Sequence, residues 1–174
     1  MHGEKIMNVY FDLDGVIRYL SAESRGGKEP ETWNELLTNG DNLCEHIDKH
    51  LDLLLTAQKT KYFDVIKSYS PIKIITHQQP GWKVNTMKWI DYNLPDAEII
   101  FVTDIKRKME IVDTDLIVED NPNFPNWFYG NVILIDWKYN RNVEPFVRIT
   151  EPEQLDKLLR RFLWQHVSSA EKTG

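Results

Sequence analysis

Two acidic pairs carry the chemistry this sequence can offer. Asp12 and Asp14, in Asp12-Leu13-Asp14-Gly15, follow one apolar run directly, and Glu119-Asp120 follows another. Carboxylates this close repel each other, so the arrangement is costly unless a cation offsets it. In a parallel sheet the C-terminal ends of neighbouring strands face one crevice, where ligands bind. Asp12, Asp14, Glu119 and Asp120 would converge there. Hard oxygen donors at that density suit Mg²⁺, which a protein holds by one or two carboxylates and leaves open to water and phosphate. Taken singly, each pair also reads as an ordinary polar turn or helix cap. A calcium loop of the EF-hand type is excluded: Ile17 stands where its turn glycine is needed, and a strand rather than a helix precedes it.

Three further groups belong with these acids. Thr76 ends an apolar run just before a helix start, so its hydroxyl and the free N–H groups that follow form a phosphate cradle or a plain N-cap. His77, next to it, reads either as a catalytic acid/base or as a surface residue that orients the loop. Lys106, Arg107 and Lys108 form the only tight basic cluster ahead of the second acidic pair. Such a run is either a solvated helix face or the source of one lysine that reaches the crevice. Lys108 is the first choice for that lysine and Lys106 the second.

The elements that must position these residues are legible in the pattern. Ile6–Phe11, Ile72–Thr76, Glu98–Val102, Asp115–Val118 and Val132–Ile135 are short, β-rich apolar runs, as expected for strands covered on both faces of a parallel sheet. Helical patterns lie over Gly81–Tyr92 and from Glu151-Pro152 onward, the latter with Leu155, Leu158, Leu159 and Phe162 at helical spacing. Between the first two strands, residues 17–70 contain no convincing strand. Asp41–Ala57 reads as a helix capped by Asp41, and Lys61–Tyr69 as another. The expected organisation is an α/β Rossmann-like core of residues 1–16 and 71–167, a small helical cap insertion over 17–70, and a flexible tail over 168–174.

Bulk properties narrow the partners. The chain has 174 residues and a net charge of −6, which disfavours duplex nucleic acid. One cysteine, Cys44, excludes an internal disulfide and fits a reducing compartment. No apolar run approaches membrane-spanning length, and the N-terminus reads straight into a strand rather than a signal peptide. A cytoplasmic protein with no membrane partner, in a monomeric or homodimeric state and open to a small anionic substrate where a metal or basic cluster offsets the field, is the expectation.

In order, Asp12-Leu13-Asp14-Gly15-Val16, Thr76, Lys108 and Glu119-Asp120 resemble the four motifs of the haloacid dehalogenase-like phosphohydrolase superfamily, over residues 6 to 136. More narrowly, the helical insertion after the first motif, "LIVEDNP", "LIDWKYNR" and "KVNTMKW" resemble the small 5'(3')-deoxyribonucleotidases. The resemblance implies a Mg²⁺-dependent phosphatase of the 5'-nucleotidase type. Asp12 would be the nucleophile and Asp14 the general acid and base. Thr76, His77 and Lys108 would hold phosphate. Asp12, Asp120 and the backbone carbonyl of Asp14 would hold the metal, with Glu119 acting through water or holding the lysine. The insertion offers Trp33, Tyr62, Phe63 and Tyr69, which either stack on a substrate base or form the core of the cap, and Arg18, a candidate substrate contact, stands near where that family usually carries a further acidic residue. The chain departs from that family in having Thr76-His77-Gln78 at the second motif and Glu119 in place of an aspartate. A non-catalytic nucleotide- or metal-binding protein and a nucleic-acid end phosphatase are the alternatives.

Overall fold

A computed structural model describes residues 8–124, 131–144 and 147–170. Six parallel strands form one sheet: β1 (Val9–Phe11), β2 (Lys73–His77), β3 (Glu98–Val102), β4 (Leu116–Glu119), β5 (Asn131–Ile135) and β6 (Val147–Ile149). Their order in space is β3-β2-β1-β4-β5-β6, so the chain builds outward from β1 first to one side and then to the other. This doubly wound order puts the topological switch between β1 and β4. Five of the strands lie where the apolar runs predict them. Ile6 and Met7, expected in β1, fall outside the described residues. The sixth, β6, is not legible in sequence: it is three residues long, carries Arg148 at its centre, and exists through its pairing with β5.

Alternation along the strands divides the core into two layers, one on each face of the sheet. Phe11, Ile74, Leu116, Val118, Ile133 and Ile135 belong to one cluster. Tyr10, Ile75, Ile117 and Val132 belong to the other, together with Val112 and flanking residues of α6 (Ile105–Val112). This two-sided burial is why the strands read as continuous apolar runs rather than as alternating ones. The C-terminal helix, α7 (Pro152–Ala170), packs Leu155 and Leu159 into the first cluster. Ser168, Ser169 and Ala170, expected in a flexible tail, continue this helix, whereas residues 171–174 fall outside the described residues.

The insertion holds four short helices: α1 (Leu20–Glu23), α2 (Leu43–Lys49), α3 (Leu53–Thr56) and α4 (Phe63–Lys67). The single helix expected over Asp41–Ala57 is broken at His50, whose backbone leaves the helical region. The break lets Ile47 and Leu54 both turn inward against Leu20 and Trp82, while Leu51 and Leu55 are left exposed. The N-cap is Asn42 rather than Asp41. Its side chain accepts from Glu45 N at 2.9 Å, and Glu45 accepts from Asn42 N at 3.0 Å, a reciprocal capping box. Asp41 instead pairs with Lys49 at 2.7 Å. On the other side of the first motif, the expected Gly81–Tyr92 helix starts as a 3₁₀ turn over Pro80–Trp82 and continues as α5 (Lys83–Asn93).

The insertion does not stand apart from the core. Tyr62, Phe63 and Ile66 join the same cluster as Phe11, Ile74 and Trp89. Asn85 Nδ2 and Trp89 Nε1 of α5 donate to the carbonyls of Leu51 and Ala57, at 2.9 and 3.0 Å. The strongest tie is Arg18, which is 0 % exposed. Its Nε and Nη2 donate to the two carboxylate oxygens of Asp14 at 2.7 and 3.1 Å, and its Nη1 donates to Leu54 O at 2.8 Å. A guanidinium never loses its proton in a protein, so burying one demands a partner of this kind. Arg18→Ala would strip Asp14 of its cation and Leu54 of its donor. The expected loss is about 3 kcal/mol of unfolding free energy in urea denaturation, and a change below about 0.5 kcal/mol would refute this role for Arg18.

Candidate active site

The register of β1 against β4 builds the site. Phe11 pairs with Val118, so Asp12 and Glu119 stand side by side at the ends of adjacent central strands, and Asp12 N donates to Val118 O at 2.9 Å. The pleat turns Asp12 to the same face as Tyr10, and Glu119 to the same face as Ile117, which is the face covered by α6. Lys108 comes from that helix. It is almost wholly buried, and its Nζ donates to Asp12 Oδ1 and, at 2.6 Å, to Glu119 Oε2. The choice between the two lysines is thereby decided: Lys106 is exposed, near the start of the helix that Asp104 caps through the Lys106 N–H at 2.8 Å.

Asp120 completes the cluster. Asp12, Glu119 and Asp120 each bring a carboxylate oxygen to within 4.8 Å of the others, and all three are buried. Glu119 Oε1 accepts from the backbone N–H groups of Asp120 and Asn121 at 3.0 and 3.2 Å, while Tyr139 donates its hydroxyl to Asp120 Oδ2 at 2.5 Å. Gly15 lies against this oxygen. Its φ is +91°, and a Cβ added there would fall 2.0 Å from Asp120 Oδ2, so only glycine fits on either ground. Trp137 Nε1 holds the Gly15 carbonyl at 2.7 Å.

One ammonium serves three buried carboxylates here. Burial is the main force that lifts the Asp12 carboxyl, to about 7; Lys108 pulls it down and Glu119 pushes it up. Burial also raises Asp120 well above the ordinary carboxylate range, with Glu119 and Asp12 adding to the effect. Lys108 behaves in the opposite way: burial works against its charge, but Asp12 and Glu119 together outweigh that and hold its pKa above the usual lysine value. Burial, and then Asp120, push the Tyr139 phenol well up, so it remains a donor. With all three carboxyls ionised, the cluster would carry two uncompensated negative charges on hard oxygen atoms. That donor set fits a small divalent cation such as Mg²⁺, with Asp12 and Asp120 supplying the oxygens.

Asp14 is held differently. Its carboxylate lies on the Arg18 guanidinium, and Gln78 Nε2 donates to its Oδ2 at 2.6 Å. Gln78 is fixed in turn by Thr86 Oγ1, at 2.9 Å. Arg18, expected to meet substrate, is therefore a buried partner of Asp14. Thr76 is buried at the end of β2 and lines the cavity above the acids. His77 is exposed on the same rim, with Nε2 3.0 Å from Thr103 O, a contact that orients the loop.

The cavity has a volume of about 580 Å³ and lies between the strand ends and the insertion. Asp12, Asp14, Thr76, His77, Lys108, Glu119 and Asp120 all line it. Of the insertion aromatics, Trp33 lines it, 42 % exposed, with its ring tilted on Tyr139 at 5.5 Å. Tyr62 and Phe63 do not line it and take the cap-core alternative. They are buried against Trp137 and Trp89, where the insertion needs apolar rings to seat on the core. The groups that sequence reasoning left without a role are Gln78, Thr86, Trp137, Tyr139 and Asn140. Gln78 stands beside Thr76-His77, and the last three lie within "LIDWKYNR", so position beside a motif was the only signal they gave. No family model matches the chain, and no curated protein matches it. Among the described residues no helix is long and apolar enough to cross a membrane.

The raised carboxyls have a consequence for pH. A group whose folded value is raised stabilises the fold while protonated, and that contribution fades as pH climbs from 3.8 through about 7 for Asp12. The metal-free protein is expected to lose stability across this window. Mg²⁺, which needs the anions, should raise the melting temperature more at about pH 8 than at about pH 5. Thermal melts with and without Mg²⁺ at the two pH values check this; equal shifts at both would count against the carboxylate cluster as the binding site.

Proposed function

We propose that the protein is a phosphohydrolase that forms an aspartyl-phosphate on Asp12 and acts on a small phosphomonoester, a nucleoside monophosphate being the favoured class. The observation that carries this reading is the buried contact of Lys108 with Asp12 and Glu119, with Asp120 beside it and Asp14 two residues along the chain. A structural ion pair needs no third and fourth carboxylate, whereas phosphoryl transfer needs a nucleophile, an acid/base group and charge neutralisation in one place.

The residues divide the work as follows. Lys108 occupies Asp12 Oδ1, which leaves Oδ2 for attack on phosphorus. The Asp12–phosphorus bond forms as the bond to the leaving oxygen breaks, and Asp14 gives that oxygen a proton. Asp14 then takes a proton from a water whose oxygen attacks the phosphorus, releasing phosphate and restoring Asp12. For this, Asp14 Oδ2 must leave both Arg18 Nη2 and Gln78 Nε2 and take up a proton from solvent before it meets the leaving oxygen. Lys108 and the Thr76 hydroxyl face the phosphoryl oxygens from the cavity wall. Mg²⁺ held by Asp12 and Asp120 would supply the positive charge that lets two anions meet.

A cavity of about 580 Å³ lies in the usual range for small-molecule sites and cannot admit a duplex. Trp33, exposed in its wall, offers a face on which a base can stack.

Purified protein with Mg²⁺ should release phosphate from p-nitrophenyl phosphate or from a panel of nucleotides. Asp12→Asn should lower turnover by roughly a thousandfold or more with an unchanged circular dichroism spectrum. Full activity in that variant would remove Asp12 as the nucleophile. Trp33→Ala should raise KM for a nucleoside monophosphate by roughly tenfold while leaving p-nitrophenyl phosphate within about twofold. Equal effects on both substrates would remove the base-stacking role.

A further inference from the structure

Each carboxylate in the cluster already has an oxygen committed to the protein. Asp12 gives Oδ1 to Lys108, and Glu119 gives one oxygen to Lys108 and the other to two backbone N–H groups. Asp120 gives Oδ2 to the hydroxyl of Tyr139. Of the two side chains among these partners, Lys108 and Tyr139, only Tyr139 has no part in the proposed reaction. It belongs to a turn after β5 that grips Asp120 at more than one point. Asn140 Nδ2 donates to the Asp120 carbonyl at 2.9 Å and to Ile135 O at 2.8 Å. Arg148 Nη1 fixes Asn140 Oδ1 at 2.7 Å. The Gly15 backbone also lies against the Asp120 oxygen that Tyr139 holds. Tyr139 and Gly15 both crowd Oδ2, which leaves Oδ1 the more open oxygen for an ion.

Cations differ in what they ask of such a group. Ca²⁺ takes six to eight oxygen ligands and commonly uses both oxygens of a carboxylate, whereas Mg²⁺ requires six in a compact octahedron and takes one oxygen from each carboxylate. We infer that Tyr139 is a positioning residue that restricts Asp120 to one-oxygen coordination, and that it thereby makes the site select small octahedral cations of the Mg²⁺ and Mn²⁺ class over Ca²⁺. This rests on the metal-assisted reading above and adds to it the residue that sets the choice of ion.

Calorimetric titration of the metal-free full chain with Mg²⁺, Mn²⁺ and Ca²⁺ tests the inference without reference to turnover. In Tyr139→Phe the affinity for Mg²⁺ should fall roughly tenfold, the scale typical for loss of a group that orients a metal ligand. The affinity for Ca²⁺ should fall less or rise, so that the ratio of the two Kd values narrows. Tyr139→Met, which also lacks a hydroxyl but packs differently, should narrow it in the same way and guards against a packing defect in the first variant. A fall of equal size for both ions would make Tyr139 a structural support only and overturn the inference, as would unchanged affinities. If the wild-type chain binds none of the three ions, the metal-assisted reading fails, and this inference fails with it.

Discussion

A single buried ammonium between two buried carboxylates is the constraint around which this molecule is arranged. Lys108 reaches Asp12 and Glu119 from α6, at the place where the strand order reverses. Neither acid could stay charged in that environment alone, and a lysine there without them would lose its own charge. The three groups therefore require one another, and they require the register that sets Phe11 opposite Val118. A slip of one residue would turn Asp12 to the other face of the sheet, away from α6.

The same logic repeats at the second acid. Asp14 is matched to Arg18, and Arg18 is anchored to the Leu54 carbonyl in the insertion. Through this pair the geometry of the first motif depends on how the insertion is folded. Tyr62, Phe63 and Ile66 tighten the dependence by sharing one hydrophobic cluster with the sheet. The insertion is thus less a detachable lid than a second wall, seated by apolar rings on one side and by a buried ion pair on the other. The cavity between these walls takes its chemical character from the strand ends and its size from the insertion.

Charge balance links the two acids to the proposed chemistry. Asp14 has its own cation, whereas Asp12, Glu119 and Asp120 share one. The surplus negative charge is relieved either by protons, as the raised Asp12 and Asp120 carboxyls indicate, or by a divalent cation. The turn that carries Trp137, Tyr139 and Asn140 holds Gly15 and Asp120 against each other and keeps this surplus in place.

Much of this was legible in the sequence because it rests on local pattern. Strands buried on both faces write themselves as apolar runs, so five of the six appeared, and each acidic pair was visible because it ended one of them. Lys108 stood out as part of the one tight basic cluster ahead of the second acidic pair. The sequence by itself determined the doubly covered sheet and the acids and lysine that converge on it. Only the tertiary structure decided which lysine enters, because Lys106 and Lys108 sit on one helix and differ only in the face they present. It also decided that Arg18 serves Asp14 rather than a substrate, that Tyr62 and Phe63 are buried while Trp33 is not, and that Tyr139 holds Asp120. Those outcomes depend on contacts between residues far apart in the chain, such as Arg18 with Leu54 and Gly15 with Trp137. Periodicity and spacing record which way a side chain faces along its own element, but not what another element brings to meet it.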